Sequence, residues 1–172
     1  GQFEVWLEND VPVAGIQINI EDNPHVAKYV RDVLIEFGVP KVGTAYEDAS
    51  LDCMYETYNH PKMVYLVLEE NSKIIGSAGI AKLDNHNGNI CELQKMYFAP
   101  EARGRGLGTK MITKCLEYAK DFGFEACYLE TMPYMDAARA LYAKNGFEII
   151  DKPLGNTGHY SCTVYMLKKL IF

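Results

Sequence analysis

Apolar and polar positions alternate over residues 16–20 (IQINI), the two-residue period of a strand with one buried face. The period then changes. Val26, Val30, Val33, Leu34 and Phe37 recur at three- and four-residue steps and predict a helix. Asn23 and Pro24 suit its start, as cap and first-turn residue, and Gly38 and Pro40 suit its end. Leu51, Met54, Tyr55 and Tyr58 form a second stripe, predicting a helix over 46–58. Two β-branched and aromatic runs follow, 63–68 and 73–82, joined by a turn at Asn71-Ser72. Gly76 and Gly79 in the second run point to a bulge. The cluster DNHNGN at 84–89 turns the chain into a further strand, 90–98, so these three strands form an antiparallel meander.

Helical spacing returns at Leu107, Met111, Ile112, Cys115, Leu116 and Ala119, up to Gly123. Residues 126–131 are a strand. A strand, a helix and a strand make a crossover, so strands 90–98 and 126–131 should be parallel neighbours. A helix over 135–145 ends at Gly146, then come a strand at 147–150, a loop at 153–158 and a last strand at 159–168. Residues 1–15 carry no clear pattern. No repeat or linker interrupts the 172 residues, which therefore read as one domain of mixed α/β (α+β) class.

Composition narrows the picture. The net charge of -6 argues against a nucleic-acid partner. No apolar stretch is long enough for a membrane span, and the start lacks the basic and apolar segments of a leader, so a cytoplasmic protein is expected. The five cysteines are odd in number and include no C-x-x-C, which predicts free buried thiols rather than disulfides or a metal site. The charge does not exclude a local basic pocket. Arg103 and Arg105 sit among Gly104, Gly106 and Gly108 at the entry to a helix. The unpartnered first amides of that helix, its dipole and the two arginines together predict a seat for an anion such as phosphate. The loop lacks the lysine and hydroxyl residue of a P-loop. It also follows several strands rather than the first, unlike a dinucleotide fingerprint.

At these residues the sequence resembles the GNAT superfamily of acyl-CoA-dependent N-acetyltransferases. Arg103, Gly106 and Gly108 match its [QR]-x-x-G-x-[GA] signature, and LYAKNGF supplies its tyrosine before a Gly-Phe pair as Tyr142, Gly146 and Phe147. Both motifs stand in order, and the resemblance covers nearly the whole chain. It implies a mixed, mostly antiparallel sheet of six to seven strands with about four helices on its two faces. It implies acetyl-CoA as cosubstrate and no metal. The pyrophosphate is expected on the backbone of Gly104, Arg105, Gly106, Leu107, Gly108 and Thr109, beside Arg103. The pantetheine is expected along the strand edge at Met96, Tyr97 and Phe98. Where many members carry Asn on the later helix, this chain has Met135.

The same resemblance implies transfer of an acetyl group to a primary amine of a small molecule or peptide. Tyr142 is the expected acid for the leaving thiolate and Glu92 the expected base, acting directly or through water. An amide near Met96 or Tyr97 is expected to hold the polarised carbonyl. Outside the family, Tyr142 reads as a core tyrosine. Glu92, flanked by Ile90, Cys91 and Leu93, reads either as a buried carboxyl of raised pKa or as an ion-pair partner of Lys95 or Lys82. Strand alternation places Glu92, Gln94, Met96 and Phe98 on one face. Tyr55, Glu130 and His159 are candidates for the acceptor pocket, and each also has a purely structural reading. Cys162 reads as core. A catalytically silent CoA-binding module is the alternative function, and a homodimer through the C-terminal strand is left open.

Overall fold

The computed structural model describes residues 2–8 and 11–171. Its strands are β1 (Gln2–Glu8), β2 (Val11–Gln17), β3 (Val64–Glu70), β4 (Lys73–Lys82), β5 (Ile90–Phe98), β6 (Ala126–Thr131), β7 (Glu148–Ile150) and β8 (Val164–Lys169). Its α-helices are α1 (Asn23–Glu36), α2 (Met54–Tyr58), α3 (Leu107–Asp121) and α4 (Asp136–Lys144). The strands form one sheet in the order β1-β2-β3-β4-β5-β6-β8-β7. All neighbours are antiparallel except β5 and β6, which α3 connects as the crossover predicts. The sheet has one strand more than expected among the described residues: β1, from the unassigned N-terminal segment, pairs with β2, and the strand expected at 16–20 lies at Val11–Gln17 instead.

Both faces of the sheet are covered, which explains why β3 is apolar without interruption over residues 64–68. Leu66 and Leu68 face α3 and α4, in a core with Met111, Ile112, Cys115 and Leu129. Tyr65 and Val67 face α1 and α2, in a core with Val26, Val30, Leu34, Leu51 and Met54.

Three local expectations change. Residues 46–58 do not form one helix. Two 3-10 turns, Ala45–Glu47 and Ala49–Asp52, precede the short α2, because Asp48 is extended (φ -61, ψ 120) and Cys53 is non-helical. The Asp48 carboxylate is drawn to Lys95 and His159, and this tertiary pull overrides helical spacing. Asn23 does not cap α1. Its side chain accepts from the Tyr55 amide at 2.8 Å and donates to the Glu56 carboxylate, tying α1 to α2. The last strand starts at Val164, because residues before it are held as a turn in which the Ser161 amide bonds Gly43 O at 3.0 Å. This strand lies between β6 and β7, so it offers no free edge for a second copy.

Candidate active site

The site is built on an irregularity in β5. Gln94 pairs with Gly79 and Tyr97 with Ser77, so Lys95 and Met96 together face the single residue Ala78. Lys95 takes up the extra length in a left-handed conformation, φ 48. The bulge resets the alternation. Cys91, Leu93, Met96 and Phe98 face the α3 side, while Tyr97 joins the α1 side. The expectation that Glu92, Gln94, Met96 and Phe98 share a face therefore fails at the bulge. Across the strand pair, β4 has a bulge of its own at Ile75, since Leu68 pairs with Gly76 and Glu69 with Ile74, as expected beside Gly76 and Gly79. Both glycines are slots in the facing strand: a Cβ on Gly76 would come within 2.6 Å of the Phe98 ring, and one on Gly79 within 2.7 Å of the Tyr65 ring.

A buried polar cluster fixes the bulge from below. The Tyr65 hydroxyl donates to Lys95 O at 3.0 Å and meets Ser77 Oγ at 2.6 Å. The Tyr29 hydroxyl bonds the same Ser77 Oγ and reaches Tyr97 O at 3.4 Å. Burial pushes the Tyr29 and Tyr65 phenols up, so both stay protonated donors.

Before the bulge β5 already parts from β6. Their pairing ends at Glu92 with Tyr128, after which β6 continues only with β8. The β6-facing backbone edge of β5 from residue 93 to 98 thus has no strand beside it. Next comes a 3-10 turn, Pro100–Ala102, and then the glycine loop. Gly104 (φ 73) and Gly106 (φ 75) are left-handed, and a Cβ on either would meet nothing within 4 Å. Gly106 caps α3 without a side-chain acceptor, leaving the first-turn amides open. Both arginines pair with carboxylates. Arg103 makes two 2.8 Å bonds to Glu36, donates to Phe98 O at 3.0 Å and stacks on the Phe37 ring. Arg105 pairs with Glu70 at 2.5 Å and bonds Glu101 O at 2.9 Å. Both brace the loop, because carboxylates on α1 and β3 lie within their reach. Gly108 serves packing: a Cβ there would lie 2.7 Å from Leu141.

Two cavities of about 550 Å³ each flank β5. The first is lined by the loop and the open strand edge: Met96, Tyr97, Phe98, Arg103, Gly104, Gly106, Leu107, Gly108 and Thr109, but not Arg105. The second contains Glu92, Gln94, Lys95, Tyr58, Asp48, Glu130 and His159. Met96, Tyr97, Met135, Ala138 and Tyr142 line both, so the cavities share one wall.

Tyr142 in that wall is 8% exposed and stacks edge-on against Phe147. Burial pushes its phenol up to about 12, with the nearby Cys162 adding to the shift. Glu92 is 6% exposed. It pairs with neither Lys95 nor Lys82: Lys95 pairs with Asp48, and Lys82 donates to His86 O. Its Oε1 accepts from Gln94 Nε2 at 2.6 Å, and Gln94 Oε1 in turn accepts from the Tyr58 hydroxyl. Burial raises the Glu92 carboxyl to about 7, against the pull of the Gln94 bond, and Glu130 pushes it further. Glu130 accepts from the Tyr128 hydroxyl at 2.6 Å and from Thr157. His159 Nε2 lies 2.8 Å from Asp48 Oδ2. Burial works to lower the His159 pKa, but the Asp48 bond and charge outweigh it and the net direction is up. For Asp48, burial works upward, and His159 with Lys95 outweighs it. Burial pushes the Cys162 thiol up to about 12, so it holds no thiolate.

Residues 30–147 match the sequence profile of the Acetyltransferase (GNAT) family. The chain belongs to that family. It is 43% identical over 155 residues to the uncharacterized N-acetyltransferase YjgM of Escherichia coli (strain K12), covering 90% of this chain and 93% of the relative. Its fold is similar to that of a GNAT-family acetyltransferase from Staphylococcus aureus Mu50, with a TM-score of 0.81 and 21% identity over 92% of this chain and 99% of the other. It is also similar to PaiA N-acetyltransferase from Thermoplasma acidophilum, solved in complex with coenzyme A (TM-score 0.71, 19% identity, 91% and 98% covered). The chain is thus an acyltransferase of the GNAT N-acetyltransferase type, and its mixed sheet is the family's fold.

Of the residues singled out from the sequence, Glu92 and Tyr142 come to the two sides of the bulged strand, and Glu130 and His159 join Glu92. Tyr55 does not join them. The turn of the short α2 directs Tyr58 into the cavity, while Tyr55 packs beside the α1 core with its amide held by Asn23. The sequence reading missed Asp48, Gln94, Lys95 and Thr157. Only Gln94 carried a signal, as a second polar residue two places from Glu92 in an apolar strand. Among the described residues no set of three or more His, Cys, Asp or Glu side chains gathers as metal ligands, and no helix is long and apolar enough to cross a membrane.

Proposed function

We propose that this chain transfers the acetyl group of acetyl-CoA to a primary amine of a small molecule or peptide by direct attack. The observation that carries this reading is the shared wall: a cavity with a backbone anion seat and a cavity with a base-like carboxyl meet at Tyr142 and the bulge. The residues present fit the cosubstrate. The open amides at Gly106 and the free space over Gly104 suit a pyrophosphate. The unpaired edge of β5 suits the amides of a pantetheine arm, which would take the place of a strand.

Glu92 is the base. A carboxyl near 7 is partly ionised at neutral pH, and burial makes it a stronger acceptor for an ammonium proton than a surface glutamate. The ammonium loses one proton to Glu92, directly or through one water, and Glu92 passes it to solvent. The free amine forms the new C–N bond and gives its second proton to Glu92 as the tetrahedral intermediate collapses, and that proton restores Tyr142 after it has protonated the sulfur. An amide of the bulge near Met96 or Tyr97 holds the carbonyl oxygen as charge develops. The C–S bond breaks and the sulfur takes a proton from Tyr142. A phenol at about 12 is a poor match for a solvated thiol, whose pKa is ~8.5. The match improves in this cavity, because burial carries the Cys162 thiol beside it to about 12 as well. Five free cysteines support a reducing compartment such as the cytoplasm.

Calorimetric titration with CoA and thiol release over an amine panel test the reading. Tight CoA binding, lost in Gly106→Glu, with thiol release driven by an amine is the expected result. CoA binding with no turnover on any amine would instead make the chain a silent CoA-binding module.

A further inference from the structure

Two unlike pairs of charge surround the acceptor cavity. Glu92 and Glu130 form one. Lys95 and His159 form the other, and a single carboxylate, Asp48, serves both of its members. That sharing is unequal. Asp48 Oδ2 lies 2.8 Å from His159 but 3.3 Å from the Lys95 ammonium. The Lys95 side chain is only 8% exposed and sits on the bulge itself, between the base and the shared wall. A buried ammonium has three donors and a large desolvation cost, and one long ion pair leaves it under-satisfied. Both cations act on Glu92, lowering its pKa while Glu130 raises it, so all four groups bear on one space.

We propose that Lys95 and His159 form an anion subsite within the acceptor cavity, and that the acceptor is an amine that also carries a carboxylate, in the manner of an amino acid. This rests on the acetyl-transfer reading above. The ammonium of such a zwitterion meets Glu92 and Glu130, and its carboxylate meets Lys95 and His159. A simple alkylamine or a polyamine would satisfy the acidic pair only and leave the second cation without a counter-charge.

The test is a matched panel of α-amino acids, their α-amides and their decarboxylated amines, assayed by thiol release from acetyl-CoA with wild type, Lys95→Met and Lys95→Arg. Wild type should favour the free carboxylates in kcat/KM by about ten- to a hundredfold, the worth of a charge-assisted hydrogen bond. Lys95→Met should erase that preference, mainly through KM, and Lys95→Arg should retain part of it. Amides or plain amines used as well as the amino acids by wild type would overturn the proposal. So would an equal loss on all three classes in Lys95→Met, which would make Lys95 a structural tie for Asp48. If CoA binds but nothing on the panel turns over, the acetyl-transfer reading falls. Calorimetry of the same panel on the CoA-loaded protein then decides the subsite: carboxylate binding lost in Lys95→Met upholds it, and no carboxylate preference overturns it.

Discussion

Replacing Glu92 by Gln should slow the enzyme and stabilise the fold, and both effects should follow the same titration. Burial raises the Glu92 carboxyl from 4.5 to about 7. Between those values the folded protein holds a proton that the unfolded chain has released. Stability therefore falls as pH rises through this window and is flat above it. A shift of this size corresponds to roughly 3 kcal/mol at pH 8 and almost nothing at pH 4. Gln keeps the bond from Gln94, since its own carbonyl accepts in place of Glu92 Oε1. The variant should thus gain about 2–3 kcal/mol at pH 8, and nearly none at pH 4. Urea denaturation of both proteins at the two pH values reads the effect, with the smaller coupling between His159 and Glu92 included in the difference. The acid limb of wild-type kcat/KM should rise to a plateau above about pH 7, where Glu92 is ionised. Glu92→Gln should lose most activity and that limb. Equal stabilities at pH 8, or an unchanged acid limb in the variant, would refute the assignment of a buried base.

Tyr142→Phe should reduce kcat by about 10²- to 10⁴-fold and leave CoA affinity unchanged by calorimetry; undiminished single-turnover chemistry would remove its acid role. Ser77→Ala removes the shared partner of the Tyr29 and Tyr65 hydroxyls and should cost about 1–3 kcal/mol in denaturant unfolding. Wild-type stability there would show that the cluster does not hold the bulge. Gly155→Ala should cost more than about 1 kcal/mol and lower acceptor kcat/KM, because Gly155 is left-handed and a Cβ would lie 2.2 Å from Asp84 O. An unaffected variant would mean that the segment carrying Thr157 and His159 is not anchored at this point.

The parts of the fold legible in the sequence are those where one period runs uncontested. The stripe of α1 lands Val26, Val30, Val33 and Leu34 in the core, and α3 does the same with Met111, Ile112 and Cys115. The N-terminal hairpin was not legible: VPVAGIQ contains Pro and Gly, which blur a strand signal, and pairing with β1 and β3 defines it. Residues 46–58 misled because Leu51, Met54 and Tyr58 do reach the core, though through turns rather than one helix. The break at Asp48 comes from partners 47 and 111 positions away, which spacing does not encode. The candidate site divides the same way. Glu92 and Tyr142 stand at motif-defined places. The bulge was hidden because Lys95 is not a residue type that marks left-handed backbone, and locating it displaced Met96 and Phe98 from the face of Glu92. The arginines of the loop were the reverse case: their charge reads as anion binding, yet Glu36 and Glu70 engage them.

The most direct test of the central claim follows the acetyl group itself. The protein is mixed with acetyl-CoA, first without acceptor and then with a turned-over amine, quenched within one turnover, and weighed intact alongside the small-molecule products. Direct attack across the wall at Tyr142 predicts unmodified protein at every time point and acetylated amine appearing in step with free thiol. An acetylated protein that forms before the amine is added, on Cys162 or any other side chain, and decays as product appears would contradict it.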